Sequence, residues 1–186
     1  MLTTLSAFFN RISSWKTLLL AIALYVPFPI YFFKNLQLQM KDLALKAVDP
    51  IDLLFGYDPA RIIEMIGCYG PEGRAVYAQG EMTIDLAYPI IYTALCCIIL
   101  TLLFRNRTYA PFPLVNVFPV AVLVMDYLEN ACIVYLIKSY PDLSSLIASL
   151  CSIFTNLKWG LFFVVVALAV YGLIRLAIGG RQKQVA

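Results

Sequence analysis

The sequence predicts an all-α fold: a helical integral membrane protein, built as a four-transmembrane-helix bundle with an outer-face amphipathic helix between helices 1 and 2. Three observations carry that prediction. Hydrophobic residues make up 62% of the 186 and charged residues only 13%, with a mean hydropathy of +0.82, well outside the soluble globular range. Four apolar stretches, near 15–33, 82–104, 114–137 and 146–174, match the length of about 20 helical residues needed to cross a hydrocarbon core of about 30 Å. None of them alternates apolar and polar residues at period two, as barrel strands would.

The first stretch resembles a leader in position but not in ending. Pro27-Phe28-Pro29-Ile30-Tyr31-Phe32-Phe33-Lys34 lacks the small residues of a cleavage site, so it reads as a permanent span. Its two prolines have no backbone N–H and should bend it.

An outer segment, 34–81, follows, with apolar residues recurring from Leu36 through Val48 to Phe55. A short amphipathic helix is predicted from Asp58-Pro59, aspartate capping and proline at the first helical position, through Ile66. Its apolar face suits the bilayer surface or the end of the bundle. Gly67 to Pro71 ends it, and a new helix opening near Pro71 can run on into the second span. The turn Ser139-Tyr140-Pro141-Asp142 joins the third and fourth spans. No repeat or linker divides the chain, so 1–186 is one domain.

Charge sets the orientation. Arg11, Lys16, Arg105, Arg107, Arg175, Arg181 and Lys183 gather at one side with no acidic residue among them. The 34–81 segment mixes five basic residues with Asp42, Asp49, Asp52, Asp58, Glu64, Glu72 and Glu81. The positive-inside rule then places both termini in the cytoplasm of an inner-membrane protein. The net charge of +3 is a topology signal, and no basic run with interleaved aromatics suggests a nucleic-acid partner.

Residue chemistry excludes several classes. With no histidine, bis-histidine haem, most zinc and iron sites and His-activated nucleophiles are ruled out. Gly70-Pro71-Glu72-Gly73 is no phosphate loop, having neither a preceding strand nor a following Lys-Ser/Thr. Five cysteines without a C-x-x-C form no framework; a bridge among Cys68, Cys132 and Cys151 stays open, but packing is the better reading. Trp15, Trp159 and the twelve tyrosines fit interfacial anchoring better than a cofactor box. No cofactor and no metal is expected.

The sharpest local signal is Lys158, an amine inside the apolar run from Ile153 to Phe163. A charge there requires compensation. At about 1.5 Å per residue, Lys158 lies about 25 Å above Arg175, Glu129 about 24 Å above Pro113, Asp126 about 20 Å above Pro113, and Tyr88 about 25 Å above Arg105. Asp126, Glu129 and Asn130 share one helix face; Cys151, Thr155 and Lys158 share another; Asp85, Tyr88, Tyr92 and Cys96 form a third. Lipid penalises each of these faces, so they should meet. A Glu129–Lys158 pair is predicted, with Asp126, Asn130, Thr155 and Tyr88 within hydrogen-bonding reach and Asp85 at the outer rim. Two acids against one base leave a surplus, to be balanced by Arg74 reaching over the rim or by a protonated acid.

The pieces Phe55-Gly56-Tyr57-Asp58-Pro59, Gly70-Pro71-Glu72-Gly73-Arg74-Ala75-Val76-Tyr77, Asp85-x-x-Tyr88-Pro89-x-x-Tyr92, Asp126-x-x-Glu129-Asn130, Tyr140-Pro141 and Thr155-x-x-Lys158-Trp159 occur in order over most of the chain. In these the chain resembles a group of small four-span bacterial membrane proteins of unassigned activity. The resemblance implies a bacterial inner-membrane four-helix protein and supplies no reaction. Cys68-Tyr69-Gly70 stands where that group usually has Leu-Gly. Quinone-linked disulfide-forming proteins and the sterol-isomerase-like group share the architecture, but their paired cysteines and histidine motif are missing here.

The favoured expectation is a non-catalytic binding module or accessory subunit, organised around the buried Asp/Glu/Asn/Lys cluster. Its partners would be membrane lipids, a lipid-like ligand, and another membrane protein or further copies of itself. Two alternatives stay open. One is a small enzyme acting on a lipid or isoprenoid, with Asp126 or Glu129 as general acid/base and Lys158 as electrostatic stabiliser. The other is a proton-coupled carrier, working as an oligomer.

Overall fold

The computed structural model describes residues 1–46, 49–54 and 58–182, side chains excepted from 179 onward. Val48, the Phe55-Gly56-Tyr57 piece and Lys183, which entered the sequence reading, lie outside the described residues. The chain is all-α, and no strand forms among the described residues. Four helical stretches are long and apolar enough to cross a membrane: Trp15–Leu43, Gly70–Phe104, Val115–Lys138 and Ser145–Ile178.

A helix that hydropathy did not reveal comes first. α1 (Leu2–Ile12) turns Leu5, Phe9 and Ile12 toward the bundle, and its Ser6 hydroxyl donates to Asn116 Oδ1 at 2.9 Å. α1 precedes the first apolar run and has too few apolar residues to register as a span.

The first span is composite. Ser14 caps α2 (Trp15–Tyr25), a five-residue π segment (Phe28–Phe32) follows, and α3 (Phe33–Leu43) completes it. The prolines do disturb the ladder: around them it widens to a π register, in which the Phe33 N–H reaches back five residues to the Phe28 carbonyl. The predicted boundary at residue 33 is too early by three turns. Lys34 and Gln37 stop a hydropathy reading, but they do not stop a helix whose other face, Leu36 and Met40, packs against the bundle.

The predicted outer segment loses its other end too. α4 (Pro59–Cys68) is capped by Asp58, whose carboxyl accepts from the Ala60 N–H at 2.8 Å. Gly70, at φ +70°, breaks α4 from α5 in a conformation that side chains disfavour. α5 (Gly70–Phe104) then runs for 35 residues, so the helix expected to open near Pro71 does continue into the second span, more than three turns before the apolar stretch at 82. Its extra turns bury Tyr77, Ala78, Gly80 and Glu81. Val115–Val117 leads into α6 (Val120–Lys138), and α7 (Ser145–Gln182) is the last described element.

Packing follows chain order. The first span lies on α5, α5 on α6, and α6 on α7, with α4 set against α7. Gly80 lets the first span approach: a Cβ there would overlap Leu36 Cδ2 and stand 3.0 Å from Cδ1. α4 contributes Ile62, Met65 and Ile66 to an apolar cluster with Ile133, Leu136 and Ala148 at one end of the bundle. Leu100, Leu103, Phe104, Val115 and Val165 fill the other. All five cysteines are free thiols, so the bridge left open by the sequence does not form.

Candidate functional site

The packing order leaves a gap between the first span and α7, and a cavity of about 700 Å³ occupies it. Tyr25, Phe33 and Gln37 form one wall, Lys158, Trp159 and Phe162 the other, and the α5 face from Tyr77 to Cys96 forms the floor. Its lining reaches the surface at Pro29, Lys34 and Leu53.

Lys158 stands at one corner, its side chain only 12% exposed. Its Nζ touches Glu129 Oε2, lies 3.5 Å from Asp126 Oδ1, and donates to the Asp52 main-chain carbonyl at 3.4 Å. Three acceptors for three N–H groups saturate it. The Thr155 hydroxyl donates to Glu129 Oε1 at 2.5 Å, and the Tyr92 hydroxyl donates to Asp126 Oδ2 at 2.7 Å. Every carboxyl oxygen of Asp126 and Glu129 thus faces a donor group. α7 supplies Thr155 and Lys158 one turn apart, and α6 supplies Asp126 and Glu129 one turn apart.

The other predicted residues divide. Asn130 is turned to α5, its Nδ2 donating to Asp85 Oδ2 at 3.1 Å and to the Asp85 carbonyl at 3.2 Å. Asp85 is buried and lines the cavity, not the outer rim. Tyr88 also lines it, but its hydroxyl donates to Tyr25 at 3.3 Å and does not reach the Lys158 group. Its ring sits 4.9 Å from Phe33 and 5.2 Å from Tyr92. Arg74 is elsewhere: its guanidinium lies 3.8 Å over the Tyr140 ring and donates to the Ile66 carbonyl at 3.2 Å. Arg74 lies fourteen residues before Tyr88 on α5, too far along the helix to join the Lys158 group, and it packs on the Tyr140 ring instead.

Several groups at the site escaped the sequence reading. Glu81 is 6% exposed, lines the cavity, and among the described residues its Oε2 has no hydrogen-bond partner. Tyr77 donates to Asp52 Oδ1 at 2.7 Å and accepts from the Ile51 N–H at 2.9 Å, holding the 49–54 segment over the cavity. Tyr69 assists by donating to the Asp49 carbonyl at 2.8 Å. Burial pushes the Tyr69 phenol well above its usual range, and the nearby acids Asp52 and Glu81 add to it. Trp159, expected as an interfacial anchor, also lines the cavity, and among the described residues its buried Nε1 makes no hydrogen bond. Tyr77 and Glu81 were legible: they continue the Asp85, Tyr88, Tyr92 stripe backward at helical spacing, on a helix that the sequence already allowed to open near Pro71 and run into the second span. Asp52 carries no such pattern.

Among the described residues, no three His, Cys, Asp or Glu side chains gather as a metal ion requires. Fold and site together define a four-span helical protein with an acid-lined cavity between its first and last spans. Compared with family models, curated proteins and solved structures, the chain matches none. The likeness to small four-span bacterial proteins therefore rests on the sequence pieces alone.

Proposed function

We propose that this protein is a bacterial inner-membrane binding module that holds a lipid-like amphiphile in the cavity between its first and fourth spans. The carrying observation is the cavity itself, about 700 Å³, within the 300–1,000 Å³ of ordinary small-molecule sites. Its floor grades from acids, Glu81 and Asp85, to aromatic and apolar groups, Tyr88, Tyr92 and Leu95. That gradient matches a molecule with a polar head and a hydrocarbon body. With the basic residues at the cytoplasmic side, both termini face the cytoplasm and the acidic end of the cavity lies in the outer half of the membrane.

In this reading Lys158, as an ammonium facing two carboxylates, locks α6 to α7 and is not offered to the ligand. Polar groups serve this purpose in membrane bundles. A partner subunit or a second copy of the chain could cover the cavity mouth. The carrier reading loses ground because Leu100, Leu103, Val115 and Val165 fill the bundle between the cavity and the opposite end.

A second reading is an enzyme on a lipid or isoprenoid, favoured by one observation: Glu81 lines the cavity, and among the described residues its Oε2 makes no hydrogen bond. Glu81 would then be the acid/base group, because the donors around Asp126 and Glu129 already occupy them.

The test uses Trp159 as a reporter. In a Trp15→Phe background it is the remaining tryptophan. A brominated alkyl maltoside should quench it strongly, and Cys96→Phe, which fills the floor, should relieve most of the quenching while thermal unfolding stays unchanged. Equal quenching in both proteins would remove the binding reading.

A further inference from the structure

We propose that the acidic end of this cavity recognises the primary ammonium group of a single-chain amphiphile, with Glu81 as the principal acceptor and Asp85 beside it. The inference rests on the binding reading above and adds the chemical class of the head group.

The first support is a missing partner. Buried polar atoms almost always find one, and leaving an acceptor unsatisfied is expensive. Glu81 is buried on the cavity lining, and among the described residues its Oε2 makes no hydrogen bond. A ligand that satisfies it must bring an N–H or O–H.

The second support is charge, and it selects between those donors. Asp52, Glu81, Asp85 and Asp126 line the cavity, with Glu129 directly behind Asp126. Facing them is Lys158, whose three N–H groups already have acceptors. Lys34, the other cation on the lining, is exposed at the mouth. Arg74, which the sequence offered as the balancing charge, is held on Tyr140. Carboxyls therefore exceed the cations able to meet them. A fixed positive head group corrects this without protonating an acid, whereas an anionic head group worsens it.

The third support is the wall behind the acids. Tyr88 lies within 4.9–5.7 Å of the rings of Phe33, Tyr92, Phe28 and Tyr25. Such rings attract a cation by their faces and accept a hydrocarbon chain by their area. A primary ammonium fits better than a quaternary one, because only N–H groups can reach Glu81 as donors. The gap between the first span and α7 admits one alkyl chain along Tyr25, Leu95 and Phe162.

The experiment uses the full-length Trp15→Phe protein in micelles of a neutral maltoside, with the brominated maltoside as quencher. Dodecylamine, 1-dodecanol and dodecanoate compete at neutral pH, and recovery of Trp159 fluorescence reports displacement. Dodecylamine should displace the quencher at a concentration about tenfold lower than dodecanol, as a charge-assisted contact exceeds a neutral one. Dodecanoate should be the weakest of the three. Glu81→Gln keeps the shape, so it should erase most of the amine's advantage and leave dodecanol unchanged. Equal displacement by amine and alcohol, or an amine advantage that survives Glu81→Gln, would overturn the ammonium proposal and leave the cavity reading standing. Failure of all three compounds, together with quenching insensitive to Cys96→Phe, would bring down both. The amine-to-alcohol ratio in the unsubstituted cavity decides the matter even if Glu81→Gln does not fold.

Discussion

The Tyr92 hydroxyl donates to one oxygen of Asp126 at 2.7 Å, while Lys158 Nζ lies 3.5 Å from the other. One carboxyl on α6 thereby joins α5 to α7 at a single depth. Tyr92→Phe removes a donor and nothing else of size. We expect a loss of about 1–3 kcal/mol, because Asp126 Oδ2 is then buried without a partner. Thermal unfolding in detergent measures it, and an unchanged midpoint would show that the contact does not form.

Lys158 and Glu129 should behave as a unit. Lys158→Met alone strands two acids and should cost about 3–5 kcal/mol. Lys158→Met with Glu129→Leu should recover much of that, since apolar groups of similar size replace the pair. Strictly additive losses in the double mutant would contradict the coupling.

Gly80 is where the first span closes on α5. Gly80→Ala should destabilise by about 1–3 kcal/mol through overlap with the Leu36 methyl groups. Leu36→Ala in the same chain should restore part of the loss, because the clash is with the end of that side chain. A Gly80→Ala protein as stable as its parent would mean that Leu36 simply turns aside.

Tyr69 gives a pH prediction with a defined sign. Its phenol is raised by burial, so the folded state holds the proton more tightly than the unfolded state. The associated stability is complete below the unfolded value of about 10 and declines as pH rises through the folded one. Tyr69→Phe should therefore flatten the loss of stability between about pH 10 and 12. Parallel decline in both proteins would assign alkaline unfolding to other groups.

Several parts of this protein are legible in its sequence. Four spans follow from hydropathy because a bilayer imposes a length on every helix that crosses it. Asp126, Glu129, Thr155 and Lys158 are brought into contact; a ruler of about 1.5 Å per residue had set Asp126, Glu129 and Lys158 at similar depth, and Thr155 shares the Lys158 face. Helix ends were read less well. Lys34 and Glu81 look like boundaries to a hydropathy window, yet the backbone ladder continues through both. α1 was missed because its apolar stripe is short and lies ahead of the first span.

Composition, periodicity and charge by themselves determined an all-helical four-span chain with a polar layer, because backbone satisfaction and side-chain solvation in lipid are local requirements of each helix. The neighbours of each face were decided only by tertiary packing. Packing turned Asp85 inward to Asn130, carried Arg74 away to Tyr140, folded Asp52 over Lys158, and left the first and fourth spans apart. Those outcomes depend on helix rotation and on a close approach at Gly80, which no run of residues encodes alone. The cavity is the space that remains when the other contacts have formed.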